Sequence, residues 1–363
     1  MVRPFSLFDA RAISRIKLTD ASECLSVATH NRWWRVVVAV LGISGSVYLA
    51  SAQQNDQSGE TLDVLQVRPN FYMIAGAGGN IAIQIGSDGV VVVDSGSAEM
   101  TDTVLGAIKK LSSRPIRYII NTSADADHVG GNAKMAAAGQ SFFKPGGIAP
   151  GDTSVSTAIN NGGGASIVAT ENVFTRMSEP SGTQAPYPTI GWPTESFGRK
   201  QKVLYLNDEG IQILAQPTAH TDGDSFVLFR RSDVVVTGDI FDIDRFPVIA
   251  LEQGGSIQGE IDALNRLMEV TIPVLPMPWR PGGTLLVPGH GRICEQAELV
   301  EYRDMVTIIR DRIQAMIKRG KTLEQVKAAD PAQGYARRYG AESGRSTTNM
   351  FVEALYKSLT EKH

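Results

Sequence analysis

The stretch from Asn121 to Asn132, NTSADADHVGGN, places Asp125, Asp127 and His128 within four residues, directly behind the apolar run Ile116 to Ile120. The run reads as a buried strand, and Gly130-Gly131 as a turn before a helix-like segment over 129–138. Carboxylates and imidazoles on a loop at a strand end suit metal ligation and proton transfer. Three more segments offer the same residue types in the same setting. Pro217 to Asp224 (PTAHTDGD) carries His220, Asp222 and Asp224, Thr237-Gly238-Asp239 carries Asp239, and Pro288-Gly289-His290-Gly291 carries His290. Of the five histidines, His30 lies in an N-terminal segment that reads as removable and His363 is the last residue. The other three all occupy Gly- or Asp-flanked turns after strand-like runs. A lone histidine is more often a core or surface residue. Three in one setting point to ions, each needing two to four nitrogen or oxygen ligands and an open position for water.

The elements that must position these residues follow from apolar periodicity. β-Branched runs over 61–67, 70–75, 80–85 and 89–94 form a strand meander, with Ser87-Asp88-Gly89 as a hairpin turn. Gly76 to Gly79 reads as a tight turn, because a strand rather than a phosphate-binding helix follows it. Val104, Leu105, Ile108 and Leu111 share one face of a helix over 98–111. Residues 144–198 are rich in Gly, Pro, Ser and Thr, with only 165–177 regular, and read as a lid-like segment. Strands resume at 202–206, 210–215, 225–230 and 233–237, followed by a helix over 257–270 and a short strand over 284–287. A long helix over 296–319 carries Leu299, Tyr302, Val306, Ile309, Ile313 and Met316 at three- and four-residue spacing, and Thr322 with Gln325 forms a capping box. Strand sets alternating twice with helices imply two sheets packed face to face with helices outside.

The chain has 363 residues, 42% hydrophobic and 20% charged, which places it among ordinary globular proteins. Arg32 and Arg35 precede the uncharged stretch Val36 to Ala52, which closes on Ala50-Ser51-Ala52 and reads as a secretory signal cleaved after Ala52. An N-terminal membrane anchor is the alternative, although the stretch is short and weakly apolar for a span. Residues 1–52 contain six basic and three acidic groups, so with a net charge of −3 overall the remainder carries −6. That acidic balance argues against nucleic acid as a partner. Cys294 is the one cysteine beyond the signal, so the exported chain forms no internal disulfide. The organisation expected is an extension and signal over 1–52, a flexible lead over 53–60, a catalytic-type domain over 61–295 and C-terminal helices over 296–363. A cleaved signal implies a periplasmic or secreted protein with no stable membrane insertion.

The four motifs, in this order, resemble those of the metallo-β-lactamase-fold hydrolases. Those carry H-x-H-x-D-H inside N-T-H-x-H-x-D-H-x-G-G-N, and here Ser123 and Asp125 stand in place of the two leading histidines. The resemblance extends from about Asn80 to Gly291, and residues 238–259 with helix 296–319 look like those of an exported branch. It implies an α/β fold of four layers, αββα, with a C-terminal helical extension. By position it implies a complete second metal site of Asp127, His128, Asp239 and His290. The first site reduces to Asp125, His220 and shared Asp239, with Ser123 a poor ligand. The implied cofactor is Zn²⁺, one or two per chain, with Mn²⁺ or Fe²⁺ as alternatives in the oxygen-rich first site.

The resemblance also implies function: a metal-bound hydroxide attacks a lactam, lactone, ester or thioester while Asp127 orients the nucleophile. A non-catalytic metal- or ligand-binding protein that retains the fold is the alternative, and iron-dependent sulfur oxidation fits less well because it uses the degraded site. Asp94, at the end of its strand, looks like the family's supporting aspartate. Asp125 reads equally as a ligand or a helix cap. Asp222 and Asp224 fit the turn around His220, and Arg245 is a weak candidate for an anionic substrate, with a plain surface role as the alternative. Without an ion, three crowded carboxylates imply that at least one holds a proton.

Overall fold

A computed structural model describes residues 61–142, 163–180, 185–198, 200–274, 282–341, 344 and 346–361. The signal, the flexible lead, His30, His363 and parts of the 144–198 segment lie outside the described residues. Among the described residues, no helix is long and apolar enough to cross a membrane.

Two sheets form the centre. The first has seven strands in sequence order: β1 (Asp63–Arg68), β2 (Phe71–Ala75), β3 (Ile81–Ile85), β4 (Val90–Val93), β5 (Ile116–Ile120), β6 (Ser166–Thr170) and β7 (Glu195–Phe197). β1 to β4 form the antiparallel meander, and β4 to β7 run parallel. The second sheet comprises β8 (Gln201–Leu206), β9 (Glu209–Ala215), β10 (Ser225–Phe229), β11 (Val234–Gly238) and β12 (Leu285–Pro288), in the order β12-β11-β10-β9-β8. Only β11 and β12 are parallel there. All four valines of β4 are fully buried, as a parallel strand covered on both faces requires.

Helices cover both outer faces. α1 (Thr101–Leu111), α2 (Ala126–Val129), α3 (Asn132–Ala138) and α4 (Glu171–Ser178) follow strands of the first sheet. α5 (Ile257–Val270), α6 (Gln296–Lys318), α7 (Leu323–Ala328), α8 (Ala336–Tyr339) and α9 (Thr348–Thr360) come later in the chain. One core lies between the sheets, joining Phe71, Val91 and Ile120 to Phe229, Val236 and Val287. A second puts Val104 and Ile108 of α1 and Met135 of α3 on the first sheet. A third packs Leu264, Tyr302 and Phe351, from α5, α6 and α9, under the second sheet. This is the αββα sandwich with C-terminal helices.

The structure corrects two local readings. The single helix over 129–138 is two short ones separated by Gly130 and Gly131. A Cβ on Gly131 would sit 2.4 Å from the Ser95 carbonyl oxygen, and one on Gly130 would sit 2.7 Å from the Ala98 nitrogen, so the chain after β4 presses directly on this break. β7 is additional; it has three residues and no periodicity to betray it.

Pairing parallel strands in both sheets brings the carboxyl ends of β4, β5, β11 and β12 to one edge. The sheets are stitched there: Ser225 N–H donates to the Thr122 carbonyl at 2.9 Å, and Asn80 N–H donates to the Gly289 carbonyl at 2.8 Å.

Candidate metal centre

Every candidate ligand comes from a loop at this edge or, for Asp127 and His128, from the short helix α2 there. Asp125, Asp127 and His128 follow β5, His220 lies between β9 and β10, Asp239 follows β11 and His290 follows β12. Asp239 occupies the middle. Its Oδ1 lies 3.0 Å from His128 Nε2 and 3.5 Å from His290 Nε2, while its Oδ2 lies 3.9 Å from His220 Nε2. Asp127 Oδ2 is 3.4 Å from His290 Nε2, and Asp125 Oδ2 is 3.5 Å from His220 Nε2. Asp127, His128 and His290 therefore form one ligand group, and Asp125, His220 and Asp239 another, each with its ligand atoms within 4.8 Å of one another.

The tautomers are set from behind. His128 Nδ1 lies 2.8 Å from Asp94 Oδ2, an acceptor, so Nδ1 carries a proton and Nε2 is directed at Asp239. His220 Nδ1 lies 2.7 Å from the Val248 carbonyl oxygen, and its buried Nε2 has no hydrogen-bond partner among the described residues. Nε2 atoms facing carboxylates require a cation between them, either a proton or a metal ion. The donor set fits a divalent ion on this ground.

Without an ion, protons fill that role. Burial pulls His128 down, but Asp239 and Asp94 outweigh it and hold it well above the ordinary imidazole range. Burial also opposes charging of His220, yet Asp125, Asp224 and Asp239 raise it to about 10. Asp127 is lowered to about 2, chiefly by its hydrogen bond with His290, and Asp239 is lowered by His128 and the other imidazoles despite its burial. Among the crowded carboxylates, Asp127 and Asp239 are therefore not the ones that hold a proton, and His128 and His220 carry protons beside them.

One consequence is measurable. His220 titrates near 6.5 when unfolded and about 10 in the ion-free fold, so its charged form contributes stability that is complete below pH 6.5 and lost as pH rises through 10. The ion-free protein should lose denaturant resistance across that window, and metal uptake at pH 7 should release protons. Calorimetry in buffers of different ionisation heat checks the release; none would mean that these imidazoles do not receive the ion.

The remaining candidates sort by contact. Asp94 accepts from Thr122 N–H at 2.8 Å and from Thr122 Oγ1 at 2.6 Å besides holding His128, in a left-handed conformation (φ 61°) uncommon for a residue with a side chain. Asp125 occupies the N-cap position of α2 but makes no capping bond there; its carboxylate faces His220 instead. The Ser123 hydroxyl accepts from Asp125 N–H at 3.3 Å. Asp224 fixes the His220 turn, accepting from both Thr221 N–H and Thr221 Oγ1 at 2.6 Å. Asp222 instead pairs with Arg176 of α4. Arg245 turns onto Asp242, with Nε 3.2 Å from Oδ2.

Several supporting residues escaped sequence reasoning. Asn80 Nδ2 donates to the carbonyls of Pro288 and Gly291 at 3.0 and 2.8 Å and holds the His290 turn. The Gly76 to Gly79 turn backs the site, since a Cβ on Gly79 would meet His128 Nε2 at 3.1 Å. A cleft of about 420 Å³ opens beside the first ligand group, lined by Ala124, Asp125, Tyr187, His220, Val248 and Met350. A larger cavity of about 890 Å³ near Thr218 and Arg266 is lined by none of the six candidate ligands, whereas the smaller cleft is lined by Asp125 and His220.

An αββα sandwich with carboxylates and imidazoles converging at the strand ends defines the metallo-β-lactamase class of fold. Residues 76–140 match the family model described as the metallo-beta-lactamase superfamily. The stereoselective inverting sec-alkylsulfatase Pisa1 from Pseudomonas sp. superposes with a TM-score of 0.56 at 14% identity, and a double mutant of that enzyme with 0.60, also at 14%. Each covers 82% of this chain, which spans only 50% of theirs. A metallo-beta-lactamase from Pontibacter korlensis covers 68% of this chain and 99% of its own, at 15% identity and a TM-score of 0.47. No curated protein matches the sequence. The chain is thus similar to the metallo-β-lactamase superfamily over residues 76–140 and shares its fold.

Proposed function

We propose that the protein is a metal-dependent hydrolase of small carbonyl-type substrates, a lactam, lactone, ester or thioester. The observation that carries this is the position of Asp239, with Oδ1 toward His128 and His290 and Oδ2 toward His220. A divalent ion there would acidify a water and polarise the substrate carbonyl. His128, His290, Asp127 and Asp239 would hold one ion, and Asp125, His220 and Asp239 the other. Zinc is the leading candidate, with Mn²⁺ or Fe²⁺ as alternatives on the Asp125 side.

Asp127 has two separate tasks available. Its Oδ2 faces His290, while its buried Oδ1 has no hydrogen-bond partner among the described residues and can orient the attacking water and hold its proton. Tyr187 lies beside the cleft, its hydroxyl donating to the Ala124 carbonyl at 3.2 Å. Burial, with the charges of Asp125 and Asp127, raises its pKa, so it stays a proton donor at neutral pH.

Elemental analysis of the chain, purified without chelator or added metal, comes first. A substrate panel of esters, lactones, thioesters, β-lactams and, from the fold likeness, a secondary alkyl sulfate is then assayed with the ion found. Asp127→Asn and His290→Ala should each lose the second-site ion and lower turnover about 10³-fold or more, as expected when a preorganised electrostatic group is removed. Unchanged turnover in either would sink the assignment. Ion content without turnover on any substrate class would favour the non-catalytic reading that Ser123 and Asp125 motivate.

A further inference from the structure

Beside the proposed centre lies a carboxylate that no motif singled out. Asp242 follows Asp239 by three residues, on a turn that doubles back under the His290 loop: Gly289 N–H donates to the Phe241 carbonyl at 3.3 Å. Gly291, with φ 95°, lets that loop pass close, since a Cβ there would sit 2.7 Å from Ile243 Cγ2. The result is that Asp242 is brought to His290. One of its carboxylate oxygens, with His290 and Asp239, forms a third group whose ligand atoms lie within 4.8 Å of one another.

Asp242 is 4% exposed, and among the described residues only one of its oxygens has a partner. Oδ2 faces Arg245 Nε, and Oδ1 is buried with no hydrogen bond among them. Leaving a carboxylate oxygen dry and unpaired is costly. A cation shared with Asp239 and His290 offsets that cost.

We propose that Asp242 is a further ligand to the ion held by Asp239 and His290. The inference rests on the reading that an ion occupies this centre. It makes four carboxylates, Asp125, Asp127, Asp239 and Asp242, serve alongside three imidazoles. Oxygen-rich coordination favours harder ions, so Asp242 biases the second site toward Mn²⁺ and away from Zn²⁺. The Arg245 guanidinium pairs with the other carboxylate oxygen.

The test is titration of the chelator-stripped full chain with Mn²⁺ alone and with Zn²⁺ alone, in wild type, Asp242→Asn and Arg245→Met, with thermal unfolding of each protein before and after loading. Asp242→Asn should melt no lower than wild type when stripped, because it removes a buried carboxylate that leaves one oxygen unsatisfied, yet lose roughly tenfold or more of its Mn²⁺ affinity and less of its Zn²⁺ affinity. Arg245→Met should keep Mn²⁺ affinity. Wild-type Mn²⁺ affinity in Asp242→Asn overturns the inference while leaving the centre standing. An equal loss in Arg245→Met assigns the effect to the ion pair and also overturns it. A wild type that takes up no ion overturns the centre, and this ligand with it.

Discussion

Asp239→Asn should empty both metal positions at once, with turnover falling about 10³-fold or more, the scale on which loss of a preorganised electrostatic group operates. The reason is geometric. Each carboxylate oxygen of Asp239 faces a different imidazole, Oδ1 toward His128 and His290 and Oδ2 toward His220. The amide has one oxygen, so whichever way it turns, one position meets N–H donors where a ligand lone pair is required. The loss of charge weakens the other. The stripped protein should suffer too: His128 is fully buried and held charged between Asp239 and Asp94, and removing one partner of a buried pair costs about 3–5 kcal/mol. Elemental analysis and denaturant titration of the stripped variant check both parts. One ion retained at wild-type affinity would mean that the two groups are independent and that Asp239 bridges nothing.

Much of this arrangement is legible in the sequence because it is local. β-Branched runs bounded by turn residues mark the strands, and histidines in Gly- and Asp-flanked turns mark the ligand loops. The stretch 121–132 even exposes its own ambiguity, since Asp125 suits a cap or a ligand equally, and only the position of His220, some 95 residues on, separates the two. What the sequence hides is long-range. Asn80 holds a turn more than 200 residues away, and Thr122 positions Asp94 across two parallel strands. The break between α2 and α3 comes from the approach of Ser95 and Ala98, which helical periodicity over 129–138 does not record. Asp242 stands three residues from a recognisable ligand, yet its meaning depends on the fold returning His290 to it.

The departures at Ser123 and Asp125 alter the centre's chemistry more than its shape. Asp125 still reaches His220, at 3.5 Å, so the first ligand group survives with a carboxylate where an imidazole would have been. Each added carboxylate makes the ion's water less acidic and shifts preference toward harder cations. A protein so built would hydrolyse best at higher pH than a tris-histidine centre, and its activity on any substrate depends on the ion supplied. Metal content is therefore the condition under which a substrate screen has meaning.

Asp94→Asn should lower second-site metal affinity by about 10- to 100-fold without unfolding the chain, as loss of a group that orients a metal-ligating histidine does elsewhere. The backbone does not decide this result. Asp94 sits at φ 61°, and asparagine is among the few residues that tolerate that region, so the substitution isolates the carboxylate. Its amide oxygen can still accept from Thr122 N–H, which places the NH₂ group opposite Thr122 Oγ1 and His128 Nδ1. A donor facing Nδ1 forces that nitrogen to accept, so the ring keeps a proton at Nε2 alone. His128 then presents N–H to Asp239 and offers no lone pair to an ion. Nitrogen-15 imidazole shifts of the stripped protein would show the charged wild-type ring replaced by a neutral one protonated at Nε2, and titration would show the loss of affinity. If the shifts changed while affinity held, His128 would be an orienting neighbour of Asp239 rather than a ligand, and the second ion would depend on Asp127, His290 and Asp239 alone.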